Sequence, residues 1–246
     1  MHEIHMSEVN QEFSKCWQAA ALHLNKKFDG SMHVWLKSNL TPPFLEHLSF
    51  RLGNQLFFIR IEDVDGRLDT PGSIDGLNNI AQECKGHACL LPMRRVIKGW
   101  KPVENNWGLL DARTLKPINP SEKITEEKIE MTDWELQDFC VQVVREHLKK
   151  DGYELMSWQS NPAVDPSIWF VGNNGPEWVI VRAYRDLEEE PQLPSNLKSI
   201  AASLAHFSSK GNFAPVFVVC MAAMMDGGKL YRGYRLIPEF NGLTNF

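Results

Sequence analysis

The chain reads as if it were written twice. From about residue 10 to 118 its apolar patterns run helix, three strands, helix, two strands, and from 132 to 237 they run in that order again. Such a period leaves little freedom, because each half must build its own sheet and core from the same succession of elements. Residues 9–27 put Phe13, Trp17, Ala20, Ala21 and Leu24 on one helical face; residues 132–150 put Leu136, Phe139, Val143 and Leu148 on one. Thr132 or Asp133 supplies an N-cap, and both helices end in Lys-Lys, the charge a helix C-terminus favours.

The halves also agree position by position. Trp35 matches Trp158, Ser38-Asn39 match Ser160-Asn161, and a proline loop then carries Glu46 in one half and Asp165 in the other. A hairpin follows, with Gly53-Asn54 opposite Gly172-Asn173 and Arg60 opposite Arg182. Acidic loops (62–69 and 185–194) lead into second helices ending at Lys85-Gly86 and Lys210-Gly211, which read as C-caps. Apolar strands come next, at 88–93 and 214–221, and each half closes on one more strand. The expected organisation is a first unit over 1–118, a solvated linker over 119–131 and a second unit over 132–246, the units packed as a pseudo-dimer.

Composition narrows the function classes. The net charge is −5, against a protein that coats nucleic acid, which needs a basic stripe. The polar start and the lack of a long apolar window predict a soluble, cytoplasmic protein without a membrane span. Five scattered cysteines suit reduced core thiols; Cys84, His87 and Cys89 lie close together but lack a second ligand pair at zinc spacing. The acids at 62–69 lack EF-hand spacing and read as a solvated loop. No glycine-rich phosphate loop follows a strand, so no nucleotide cofactor is expected, and no Gly-x-Ser-x-Gly elbow supports a serine hydrolase. Trp100 and Trp107, in a loop-like segment, either pack over a sheet end or anchor a partner.

Residues 160–182 hold the candidate chemistry: a loop bearing Asp165, a strand SIWFV, a turn, and a strand EWVIV that ends in Arg182. An acid and a base on neighbouring strands, near one sheet end, make a site geometry. The element order resembles the PD-(D/E)XK, or restriction-endonuclease-like, nuclease core, which runs helix, three-stranded meander, helix, strand. By that resemblance Asp165 matches the metal-binding Asp, Ser160 the assisting Ser before it, Glu135 the first-helix Glu, and Arg182 the Lys. The second acid, two residues before Arg182, is replaced by Ile180; in the first half Glu46 and Arg60 hold the slots and Phe58 replaces the acid. The resemblance implies an α/β fold of two α-βββ-α-ββ units with mixed, twisted sheets, each with its first helix on one face.

Mg²⁺ rarely holds on one carboxylate. A permanent guanidinium in the Lys slot can instead pair with that carboxylate bidentately. Asp165–Arg182 and Glu46–Arg60 are expected to be such pairs, unless Asp165 caps a turn and Arg182 points to solvent. The first function class is a non-catalytic binding or assembly protein without metal, with a protein partner rather than nucleic acid, its binding residues being Glu46, Arg60, Ser160, Asp165 and Arg182. The second is a Mg²⁺- or Mn²⁺-dependent nuclease in which a displaced acid, Glu177, joins Asp165 as ligand, with Arg182 and Glu135 assisting. The element order and acidic charge also resemble secretion chaperones, for which an all-antiparallel sheet is expected.

Overall fold

The computed structural model describes residues 11–28, 33–37, 47–185, 187–208, 210–225 and 227–246. The chain divides into two compact units, Met1–Lys128 and Ile129–Phe246. The first contains α1 (Gln11–Asn25), β1 (His33–Lys37), β2 (Leu48–Leu52), β3 (Gln55–Asp63), α2 (Ile74–Glu83), β4 (His87–Val96), β5 (Gly99–Pro102) and β6 (Leu110–Asp111). The second contains α3 (Asp133–Lys150), β7 (Glu154–Trp158), β8 (Ile168–Gly172), β9 (Gly175–Tyr184), α4 (Leu197–Leu204), β10 (Gly211–Val219), α5 (Met221–Met225), β11 (Ile237–Glu239) and β12 (Thr244–Asn245).

Each unit builds one mixed sheet, and the two sheets have the same strand order. In the first it is β1-β2-β3-β4-β5, with β6 also on β4. In the second it is β7-β8-β9-β10-β11, read from the other edge, with β12 also on β10. Three strands form an antiparallel meander, and the fourth lies parallel to the third. A parallel neighbour cannot be reached by a hairpin, so a helix crosses over: α2 joins β3 to β4, and α4 joins β9 to β10. The rungs coincide with the sequence matches. Trp35 faces Phe50 while Trp158 faces Ile168; Arg60 faces Leu90 while Arg182 faces Pro215. Leu90 and Pro215 each stand four residues after the glycine of their Lys-Gly pair.

Both faces of the sheets are covered, so the inner strands are apolar on both sides. In the first unit Phe57, Ile59 and Ile61 share a core with Phe13, Trp17 and Leu24 of α1, together with Trp100 and Trp107, which pack inward as one of the two readings had it. In the second, Val179, Val181, Ala214 and Val216 pack with Cys140, Val144 and Leu148 of α3. Trp178, Ile180 and Phe213 turn to the opposite face and meet Ile200 of α4. The buried stripe of α3 runs through Leu136, Cys140, Val141, Val144 and Leu148, so Phe139 and Val143 lie on its flank rather than at its centre. The rotation comes from burying Glu135, Asp138 and Arg145 on the other flank.

Several local readings change. The 119–131 segment is not a free linker. Asn54 donates to Thr125 Oγ1 and to the Glu127 carbonyl, both at 2.8 Å, which ties 119–128 to the first unit. Residues 129–132 bond to 230–232 in the second unit, through Met131 N to Leu230 O and Arg232 N to Ile129 O. Strand β5 escaped the sequence reading because two of its four residues, Gly99 and Pro102, disfavour strands.

The Lys-Gly pair closes α2 as expected, but the second pair does not close α4. At α2 it is Lys85 that takes positive φ (46°), and its N–H and that of Gly86 bond back to Gln82 and Ala81 in a Schellman closure. α4 stops at Leu204, well before Lys210-Gly211. Both glycines are also required for space. A Cβ on Gly86 would lie 2.9 Å from the Phe58 ring, and one on Gly211 would lie 2.6–2.7 Å from the rings of Phe246 and Trp178. Pro92 and Pro215 sit inside β4 and β10, each at a rung between two short outer strands where neither pairs. Among the described residues no helix is long and apolar enough to cross a membrane. Gly86→Ala and Gly211→Ala are each expected to lower stability by about 1–3 kcal/mol, because ring and backbone must move; urea unfolding midpoints check this.

Candidate functional site

Arg182 stands two residues before the end of β9, on the same side of the strand as Ile180. Asp165 is carried to it by the β7–β8 loop, which braces itself. Asn161 N donates to Gln159 Oε1 (2.6 Å), Ala163 N to Asn161 Oδ1 (2.9 Å), and Gln159 Nε2 to the Pro166 carbonyl (3.2 Å). The last residue before β8, Ser167, is locked to β9: its N–H donates to Val179 O, and its hydroxyl accepts from Val181 N at 3.2 Å. Asp165 is thereby set opposite the guanidinium.

The contact is a fork on a fork. Arg182 Nη1 donates to Asp165 Oδ1 at 2.9 Å and Nη2 to Oδ2 at 2.6 Å, while Nη1 also reaches the Val181 carbonyl at 2.9 Å. The carboxylate side chain is 10 % exposed and the guanidinium 25 %. Both carboxylate oxygens are engaged, and the position a second metal-binding acid would hold is the buried Ile180. One carboxylate, already paired with a permanent cation, does not fit a divalent ion.

The other proposed site residues are held elsewhere. Glu135 completes the capping box of α3: its carboxylate accepts from Thr132 N and Oγ1 at 3.0 and 3.1 Å. It also takes both arms of Arg232, Nε to Oε1 and Nη2 to Oε2, each at 2.9 Å, with side-chain exposures of 4 and 0 %. Glu177 lies five residues up β9 from Arg182, roughly 17 Å along an extended strand. It contacts Lys210 and Asn212 at 3.3 Å, so it is not brought to Asp165. Its counterpart Gln55 meets His87 in the same way, at 3.1 Å. Glu177 stands one residue before the first rung of the β9–β10 parallel ladder and Gln55 two before that of β3–β4, so the polar contact braces the start of each parallel pairing.

In the first unit Glu46 lies outside the described residues. Arg60 is engaged by its own loop: its guanidinium donates to Glu62, to Thr70 Oγ1 (2.8 Å), and to the carbonyls of Thr70, Pro71 and Gly72. It acts as a clamp on the turn that precedes α2. Among the described residues no group of three or more His, Cys, Asp or Glu side chains is placed to hold a metal ion. All five cysteines are buried free thiols, and burial pushes Cys16 up to about 12, away from the thiolate a metal would need.

Sequence reading missed a polar stripe on α3. Glu135, Asp138, Gln142 and Arg145 recur at spacings of three and four, which is one helical face. Ser160 sits there: its hydroxyl donates to Asp138, and both residues are buried. Gln142 donates to the other Asp138 oxygen at 3.2 Å, and the Arg145 guanidinium lies 3.8 Å above the Trp158 ring. Burial lowers the Arg145 pKa, with Glu146 and Asp138 opposing. The signal was present: a helix with charged residues at core spacing needs partners brought by other elements.

Removing one member of the buried pair leaves an uncompensated charge. Arg232→Met is expected to cost about 3–5 kcal/mol in urea unfolding, and Glu135→Leu added to it is expected to recover much of that loss. Arg182→Met, at a partly exposed pair, is expected to cost less.

A family model for a domain of unknown function, DUF8840, matches residues 134–246, which spans α3 to the last strand of the second unit. No curated protein and no solved structure matches the chain.

Proposed function

We propose that this is a non-catalytic binding or assembly protein on a restriction-endonuclease-like scaffold whose metal site has been filled by arginine. The observation that carries the reading is the bidentate Asp165–Arg182 pair with Ile180 beside it. The carboxylate that would ligate an ion is neutralised by a guanidinium, which cannot be deprotonated to release it. The burial of Glu135 against Arg232 removes the next acid in the same manner. The shared order of meander, crossover helix and parallel strand supports the nuclease lineage. The parallel β9–β10 pair counts against the secretion-chaperone reading, which requires an all-antiparallel sheet.

A nuclease using Glu177 as the displaced acid has no support in the geometry, since Lys210 and Asn212 hold that side chain at the far end of β9. Fold leaves the activity open, so the pair itself is the thing to test. In plasmid cleavage with Mn²⁺, the wild-type chain and Asp165→Ala are expected to be equally inactive, and titration calorimetry is expected to show no tight Mg²⁺ or Mn²⁺ binding. Cleavage or tight binding that disappears in Asp165→Ala would overturn the reading.

A further inference from the structure

The β4–β5 hairpin ends in a tip unlike the rest of this acidic chain. Residues 94–101, RRVIKGWK, place four cations in eight residues of a protein whose net charge is −5. Trp100 is buried in the first unit's core and pairs with Arg95, one rung from the turn. Around it Arg94, Arg95, Val96, Ile97 and Lys98 are all exposed, and Ile97 is fully so, at 105 %. Gly99, at φ 118°, closes the two-residue turn. Arg94 lies 3.8 Å from Asp65 and Arg95 3.4 Å from Glu12, but Lys98 and Lys101 form no ion pair among the described residues. Isolated surface aliphatics are ordinary. Two adjacent ones at a hairpin turn flanked by cations form a surface that fits an anionic partner with apolar side chains of its own.

The second unit carries a segment of that chemistry. The loop between β9 and α4 reads Leu187-Glu188-Glu189-Glu190-Pro191-Gln192-Leu193, with Leu187 and Leu193 about half exposed and the three acids exposed between them. Tyr184 holds it in place: its hydroxyl accepts from Gln192 N at 3.0 Å and donates to Gln192 O. The loop is therefore presented outward. Glu189 and Glu190 form no ion pair among the described residues.

We propose that the chain associates with itself, the 94–101 hairpin of one copy docking on the 187–193 loop of a second. Lys98 and Lys101 meet Glu189 and Glu190, and Ile97 and Val96 meet the flanking leucines. A phosphate backbone would use the cations and leave Ile97 in water, whereas the leucine-bearing acidic loop accommodates both. The patch is small, so the association belongs to the weak, salt-sensitive class. This inference stands whether or not the Asp165 site binds metal.

Sedimentation velocity of the full chain over a range of concentrations, at low and high salt, tests it. The weight-average sedimentation coefficient is expected to rise with concentration at low salt and to fall back at high salt. Ile97→Ser, or Lys98→Glu with Lys101→Glu, is expected to weaken association by roughly tenfold or more. Glu189→Lys with Glu190→Lys is expected to do the same, and the hairpin and loop reversals combined in one chain are expected to restore it. All the substituted positions are exposed, and circular dichroism verifies folding. A chain that stays monomeric, association indifferent to salt or to both reversals, or failure of the combined reversal would each overturn the proposal. Concentration-independent behaviour combined with hairpin-dependent binding of duplex DNA or of phosphatidylserine vesicles would assign the tip to another partner and overturn it equally.

Discussion

The parallel pairing of the third and fourth strands governs most of the architecture. A parallel neighbour demands a crossover, and the crossover brings a second helix onto the face that the first helix leaves bare. Both faces of β3 and β9 are then apolar, which is why Phe57, Phe58 and Ile59, or Val179, Ile180 and Val181, can follow one another without a polar residue. The same pairing sets the rungs that put Arg60 and Arg182 at matching heights. Both arginines lie near the strand end with buried residues still following them, Ile61 and Tyr184, so each charge needs a partner held close to it. The two arginines share a rung but not a task. One clamps the turn before α2, while the other neutralises an aspartate from the neighbouring loop.

The units differ at their first helices. Positions 12, 15, 19 and 22 of α1 hold Glu, Lys, Ala and Leu and face outward or lie at a margin. The matching positions of α3 hold Glu135, Asp138, Gln142 and Arg145, three of them buried. Their burial is made possible by cover from the 229–232 segment and the β7–β8 loop, which bring Arg232 and Ser160 as partners. A buried ionic layer of this kind is costly to assemble and costly to break, and it ties the chain's distant ends of the second unit to one helix.

The alternating and helical patterns of the sequence were enough to read the element order and the matched rungs, since apolar periodicity reports burial directly. The Asp165–Arg182 approach was legible because one acid and one cation stood near the same sheet end. What escaped the sequence depends on contacts between distant segments. Arg232 lies 97 residues from Glu135 in a stretch with no periodicity, so nothing local announced the pair. Glu177 looked available because its partners, Lys210 and Asn212, arrive from the start of another strand. The Lys-Gly pairs suggested caps, which holds at α2 and fails at α4, and both glycines answer as well to aromatic rings that pack against them from elsewhere in the chain. Strand β5 was hidden because its pairing with β4 overrides a composition poor in strand formers.

The prolines in β4 and β10 divide the outer margin of each sheet. On β10 the rungs at 212–213 belong to β12 and those at 217–219 to β11, with Pro215 in the interval. The β12 and β11 rungs therefore share no hydrogen-bonded position on β10, and a break in one set need not pass to the other. The inner ladder to β9 continues through that interval unbroken. The second unit can loosen one margin segment at a time while the strand bearing Arg182 keeps its place.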